Sequence, residues 1–273
     1  MKQILVATDF SLSADNALCY ALAMAKILNM EVVAIHAIHP TEGINNSTYN
    51  AIFIDSYYNN KRAALKAWTE NIAARQDLAE IKTTTICDVG FLKTVITKYI
   101  EDKPVELLVM GITGSTGISG IVGSNASSVV TKMRIPTLIV PLESNSPSSP
   151  IITLATDYET KLSNKDVNAL NEMLRASGTK KMQVLYVAEK SDDLHIQTGE
   201  KRIRELLPHT EIEFNYIRDN SAPNGIIDFI KNNHTDILCL VKHHHNIIYR
   251  LFTSSTVNQV MNRSVKAILV LHD

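Results

Sequence analysis

The sequence predicts an α/β protein built as two tandem doubly wound domains, each a mostly parallel five-stranded sheet flanked by helices. Three observations carry this. Continuously apolar runs recur along the chain, among them ILVA (4–7), VVAI (32–35), LLVM (107–110) and LIV (138–140), as in strands covered on both faces. They alternate with longer segments of helical spacing, and strand–helix–strand order implies parallel strands joined by right-handed crossovers. The pattern also occurs twice: ILVATDFS (4–11) returns as IITLATDYET (151–160), VELLVMG (105–111) as TDILCLVKH (235–243), and PTLIVPL (136–142) as KAILVLH (266–272). Three anchors in one order indicate an internal duplication. Between the copies, ESNSPSSP (143–150) has the Ser and Pro of a linker. The domain boundaries are therefore read as 1–142, linker 143–150, and 151–273.

In the first half, strands are expected at 3–8, 31–37, 81–87, 106–110 and 137–140. Between the first two, Ala14, Ala17, Leu18, Ala21, Leu22, Ala25 and Leu28 repeat at helical spacing, with Ser11 or Ser13 placed to cap. Residues 41–60 mix Asn, Ser, Thr and Gly with Ile52, Phe53, Ile54, Tyr57 and Tyr58. They read as a surface excursion, or a flap over a site, before a helix at 61–74. After the fourth strand comes GITGSTGISGIVGS (111–124), which holds five of the ten glycines. The helix NASSVVTKM follows it, with Ser124 or Asn125 as its cap. In the second half, strands are expected at 151–155, 182–188, 211–217, 236–241 and 267–271.

Composition narrows the function. The chain is 45% hydrophobic and 20% charged with net charge −1, which provides no broad field for nucleic acid or membrane. The apolar run near the N-terminus, ILVA, is too short for a signal-peptide core, and no run approaches the length of a membrane span. Cys19, Cys87 and Cys239 are scattered and odd in number, which reads as buried thiols in a reducing, cytoplasmic setting.

The glycine segment is the first candidate site. A flexible turn of converging N–H groups ahead of a helix N-terminus suits an anion, and glycines allow the main chain to approach a phosphate. No Lys lies between Gly111 and Ser124, so the Walker pattern is absent, and the first turn, ATDFSLS, lacks the glycines of the Rossmann fingerprint. The order of parts resembles the universal stress protein family in its tandem two-domain form. That family carries an Asp at the end of its first strand, matched by Asp9, and Gly-x-x-Gly, nine residues, then Gly-Ser after its fourth. Gly111-Ile112-Thr113-Gly114 matches the opening and Gly123-Ser124 the close, with eight residues between Gly114 and Gly123 rather than nine.

The resemblance implies an adenine nucleotide, ATP or AMP, with Mg²⁺ riding on the phosphates. It places Ala7, Thr8 and Asp9 beside the adenosine, Asp9 accepting from a ribose hydroxyl. Read from the residues alone, a helix-capping aspartate is the alternative for Asp9. By the same resemblance Ala37 lines the adenine pocket, Met110, Gly111 and Ile112 shape the ribose and adenine side, and Gly114, Gly123, Ser124, Asn125 and Ala126 donate to phosphates.

At the matching place the second half reads VKHHHNIIYRLFTSS (241–255), with no glycine. Lys242, His243, His244 and His245 replace the turn, so a second nucleotide site is not expected there, although Asp157 persists. Consecutive histidines project in different directions and lack the i, i+4 spacing of helix-borne ligands, so no metal site is read. His36 and His39 read as strand-end residues.

The resulting expectation is a cytoplasmic stress-response or regulatory protein that binds a nucleotide in one half. The alternative is an interaction scaffold of the same fold that binds none. Enzymes of the wider adenine-nucleotide α/β superfamily carry His-x-Gly-His or Ser-Gly-Gly turns near the first strand, which ATDFSLS lacks. No paired carboxylates or nucleophile elbow appears at a readable spacing. Catalysis beyond slow incidental ATP hydrolysis is therefore not expected. The apolar final strands, TLIVPL and AILVLHD, are the edges through which family members pair. In a tandem chain they serve to pair the two halves, and a homodimer remains open.

Overall fold

The computed structural model describes residues 1–42, 51–112, 128–130, 133–159, 162–176, 178, 181–188, 193–242 and 254–272. In the first half β1 (Gln3–Ala7), α1 (Leu12–Leu28), β2 (Glu31–Ile38), α2 (Ala51–Arg75), β3 (Thr83–Val89), α3 (Leu92–Asp102), β4 (Val105–Ile112) and β5 (Thr137–Pro141) follow in order. Residues 128–130 are helical. The second half runs β6 (Ile152–Thr156), α4 (Asn164–Ala176), β7 (Lys181–Ala188), α5 (Asp193–Leu206), β8 (Glu211–Arg218), α6 (Ala222–Asn232), β9 (Ile237–Lys242), α7 (Ser254–Arg263) and β10 (Ala267–His272).

The ten strands form one sheet in the order β3-β2-β1-β4-β5-β10-β9-β6-β7-β8. The second half thus repeats the order of the first in mirror sequence. Pairing is parallel inside each half. The seam is the exception: β5 and β10 pair antiparallel, with Leu138 opposite Leu269. Leu138, Ile139, Val140, Ile268, Leu269 and Val270 are all 0% exposed. At about 1.5–3 kcal/mol for each large side chain taken from water, this seam resists separation of the halves.

Helices cover both faces of the continuous sheet. Ala17, Leu18 and Leu22 of α1 share one core with Ile72 of α2, Leu170 and Met173 of α4 and Ile203 of α5. Val95 and Ile96 of α3 share the other with Ile226 and Phe229 of α6 and Val260 of α7. Polar ties reinforce the junction. The Asn16 amide donates to the Pro141 and Ser144 carbonyls at 2.9 Å each, which pins the start of 143–150 to α1. Lys165 Nζ donates to the Val105 carbonyl at 3.1 Å.

Two expectations are corrected. Helix α2 begins at Ala51 rather than at 61, so 51–60 belong to the helix and not to a loop. Tyr57 and Tyr58 pack with Leu65, Trp68 and Phe10 around Ala34 and Ile38. The spacing 57, 58, 61, 65, 68 follows one helical face, and tertiary burial of the tyrosines overrides the weak helix propensity of Asn59 and Asn60. Strand β3 also lies two residues later than expected, at Thr83–Val89. Among the described residues no helix is long and apolar enough to cross a membrane.

Candidate functional site

Each half opens with Ala-Thr-Asp-aromatic, and the two copies fold alike. Thr8 Oγ1 accepts from the Phe10 N–H at 3.0 Å and Asp9 Oδ1 from the Ser11 N–H at 3.0 Å. Thr156 Oγ1 accepts from the Tyr158 N–H at 2.9 Å and Asp157 Oδ1 from the Glu159 N–H at 3.1 Å. Phe10 and Tyr158 both sit in the left-handed region at φ 64. For a bulky L residue that conformation costs on the order of 1–2 kcal/mol, offset here by the side-chain bonds that close the turn. Ser11 is the N-cap of α1, accepting from the Ala14 N–H at 3.3 Å. Asp9 therefore does not cap the helix itself. It fixes the turn before the cap with one carboxylate oxygen, and the residue remains exposed.

In the first half this turn borders a cleft of about 560 Å³ at the carboxyl ends of β1, β2 and β4. Strand order changes direction there, with β2 on one side of β1 and β4 on the other, the switch point where open α/β sheets hold ligands. Ala7, Thr8, Asp9, Ala37, Met110, Gly111 and Ile112, drawn from three separated stretches, all line it. Gly114, Gly123, Ser124, Asn125 and Ala126 lie outside the described residues.

Gly111 is required by space. A Cβ there would stand 2.1 Å from the Ser13 carbonyl oxygen and 2.9 Å from the Ala14 nitrogen. The first turn of α1 thus rests directly on the main chain of β4. This draws the β1–α1 turn, and Asp9 with it, toward the end of β4.

Several lining residues were not singled out as ligand contacts from sequence. His36, 7% exposed, approaches the Thr8 carbonyl with Nδ1 at 2.8 Å. A carbonyl only accepts, so Nδ1 carries a proton; Nε2 has no partner among the described residues. The Phe10 ring packs on His36 at 4.7 Å and meets Trp68 edge-on at 5.8 Å. At the mouth, Phe91 is 63% exposed and lies edge-on to His39 at 5.2 Å. Glu42 accepts from the His39 N–H and the Tyr57 hydroxyl at 3.0 Å each and faces Lys61 at 3.5 Å. Burial works against its ionisation, but these partners outweigh burial and hold the carboxyl below the usual range. The legible signal for His36, His39 and Phe91 was their place at strand ends beside a switch point.

In the second half the equivalent turn is packed inward. Ala7 pairs with Met110 and Ala155 with Leu240, so Val241 stands where Gly111 does, one residue before the Lys242 that the sequence pattern places there. Helix α1 begins four residues after Thr8, at Leu12, whereas α4 begins eight after Thr156, at Asn164. Asp157 is 3% exposed, unlike Asp9. The Tyr158 ring is buried, stacked on Tyr186 at 5.0 Å, and abuts Gly199, where a Cβ would fall 2.1 Å away. His195 Nε2 lies 2.8 Å from the Asp157 carbonyl, and Arg202 donates to the Tyr158 carbonyl at 3.0 Å. His243, His244 and His245 fall outside the described residues.

Fold and site together define a class: a duplicated doubly wound α/β protein with a switch-point cleft in its leading half and a matching but buried Ala-Thr-Asp-aromatic turn in the second. The sequence comparisons specify the family. The universal stress protein family profile matches residues 1–141. A universal stress protein from Methanocaldococcus jannaschii is 30% identical over 154 residues, covering 51% of this chain and 94% of that protein. The chain belongs to the universal stress protein family. A universal stress protein structure from Archaeoglobus fulgidus aligns over 99% of this chain and 98% of its own with TM-score 0.77 at 17% identity. A Pseudomonas aeruginosa structure aligns over 99% and 92% with TM-score 0.61 at 10% identity. At such identities the likeness is one of fold.

Proposed function

We propose that this chain is a cytoplasmic stress-response or regulatory protein that binds one adenine nucleotide, ATP or AMP, in the cleft of its first half. The second half acts as a structural partner without a site of its own. The observation that carries the reading is the convergence of Ala7, Thr8, Asp9, Ala37, Met110, Gly111 and Ile112 on one 560 Å³ cleft, within the usual size range of small-molecule sites. In this reading Asp9 keeps an oxygen for the ribose hydroxyls, and 113–126 supplies the phosphate donors. Mg²⁺ rides on the phosphates, and hydrolysis is slow and incidental. Residues 1–142 and 151–273 are taken as the domains and 143–150 as their linker. The pairing edges of the two halves are already satisfied against each other at β5 and β10.

Calorimetric titration of the full chain with ATP and AMP, with and without Mg²⁺, tests this. One site per chain is expected, with affinity reduced about tenfold or more in Asp9→Ala through loss of a charged acceptor. Two sites would overturn the division of labour between halves. No binding at millimolar nucleotide would leave the scaffold reading in its place.

A further inference from the structure

Among the described residues the sheet ends on one side at β3, which pairs there only with β2. The Val32 N–H donates to the Lys82 carbonyl at 3.0 Å and the Gly90 N–H to the Ile38 carbonyl at 2.9 Å. Even-numbered residues thus direct their main-chain groups inward to β2, and by the alternation of a parallel ladder Thr83, Thr85, Cys87 and Val89 present theirs at the open edge. Most edges are blunted by charge or covered. At the other end, β8 carries Glu211, Glu213 and Arg218 as exposed residues. In β3 the run Thr83 to Cys87 has no charge and no proline.

A groove of about 590 Å³ runs along this edge between α2 and α3. Thr85, Ile86, Cys87 and Asp88 form its floor, with Val95 and Tyr99 beside them. With a rise of about 3.3 Å, a lateral spacing of about 4.8 Å and about 10 Å between layers, an added strand fills roughly 160 Å³ per residue. The groove therefore accommodates about four residues of a further strand. Its rim is cationic: Arg62 and Lys66 from α2 and Lys98 and Lys103 from the α3 side, against Asp88 and Asp102. Lys98 reaches Asp88 only at 4.0 Å and Lys66 reaches Glu70 at 3.9 Å, so the cations are weakly neutralised. A second copy of this chain would bring the same positive rim against itself. An acidic segment would not.

We propose that the β3 edge docks an extended acidic peptide segment of another protein, which adds to the sheet as a further strand. Main-chain bonds to Thr83, Thr85 and Cys87 hold it, and the Arg62, Lys66, Lys98 and Lys103 side chains select for carboxylates. The groove shares no lining residue with the nucleotide cleft, so variants can be made in one without altering the other.

Fluorescence anisotropy with a labelled peptide of alternating Glu and Val, using the full chain, tests it. The Glu–Val peptide is expected to bind, a Lys–Val peptide not to, and N-methylation of alternate amides to abolish binding. The double variant Arg62→Glu/Lys98→Glu changes only exposed charges. It is expected to weaken the Glu–Val peptide by about tenfold or more and to admit the Lys–Val peptide. Thr85→Pro removes an outward N–H and is expected to weaken binding similarly. Absence of binding, equal binding of both peptides, or indifference to the charge reversal would each overturn the proposal. So would a concentration-dependent dimer in sedimentation that Thr85→Pro dissolves, since the edge would then serve a second copy.

Discussion

The closest main-chain approach in the site sets its most demanding test. In Gly111→Ala the new methyl would lie 2.1 Å from the Ser13 oxygen, 2.4 Å from the Ser13 carbonyl carbon and 2.9 Å from the Ala14 nitrogen. All three are backbone atoms of the start of α1, so no side-chain rotation relieves the overlap. Helix and strand must part by close to an ångström. Overpacking costs about 1–3 kcal/mol, and rigid partners put this case at the upper end, about 3 kcal/mol. For a chain of this size that lowers the melting temperature by roughly 6–12 °C. Because Ser11 caps the helix that moves and Asp9 is bonded to Ser11, the turn shifts as well, and a site held loosely by that much loses affinity. Urea denaturation and calorimetry with ATP read the two effects separately. A midpoint and an affinity both unchanged would refute the packing argument. A lower midpoint with unchanged affinity would show that Gly111 matters to the fold and that the cleft is not the nucleotide site.

Three further outcomes are expected. Trp68 is the single tryptophan, donates to Asp15 at 2.6 Å and touches Phe10 of the cleft; nucleotide should change its emission in the parent and not in Asp9→Ala, by steady-state fluorescence. Gly199→Ala drives a methyl into the Tyr158 ring and should cost about 1–3 kcal/mol in urea denaturation while leaving nucleotide affinity intact, since that ring belongs to the second half. Glu31 is held below the usual carboxylate range first by the Lys82 ammonium, against burial, and then by the Gln3 amide. A depressed folded-state pKa stabilises above the unfolded value and is lost as pH falls through the folded one, so Glu31→Gln should be less stable than the parent at pH 7 by up to about 1 kcal/mol, a gap that closes in pH-dependent melting as pH falls through the lowered folded-state pKa.

The strands were legible because those buried on both faces need unbroken apolar runs, and β1, β2, β4, β5, β9 and β10 have them. Edge strand β3 was placed two residues early because an edge relaxes that demand: Thr83, Thr84 and Thr85 carry little pattern. The first ten residues of α2 were missed because Tyr57 and Tyr58 gain burial only against β2 and Phe10, a contact no local window contains. The candidate site divided the same way. Ala7, Thr8, Asp9, Met110 and Gly111 lie at strand ends that motif order marks. Phe10, His36, Phe91 and Glu42 come to the same cleft from the ends of other elements, and only the parallel sheet aligns those ends.

By itself the sequence determined the duplication, the α/β class, the turn chemistry of Ala-Thr-Asp-aromatic and the family, because each depends on residue type over short spans. Tertiary structure decided which of the two turns stays exposed. The same turn with φ 64 occurs in both, but over Gly111 a helix settles against bare main chain and leaves Asp9 exposed, whereas beyond Val241 the helix starts later and Tyr158 packs inward on Gly199. Two like sequences diverge because the space left by a missing Cβ lies across the sheet, on another strand, more than a hundred residues from the turn it positions.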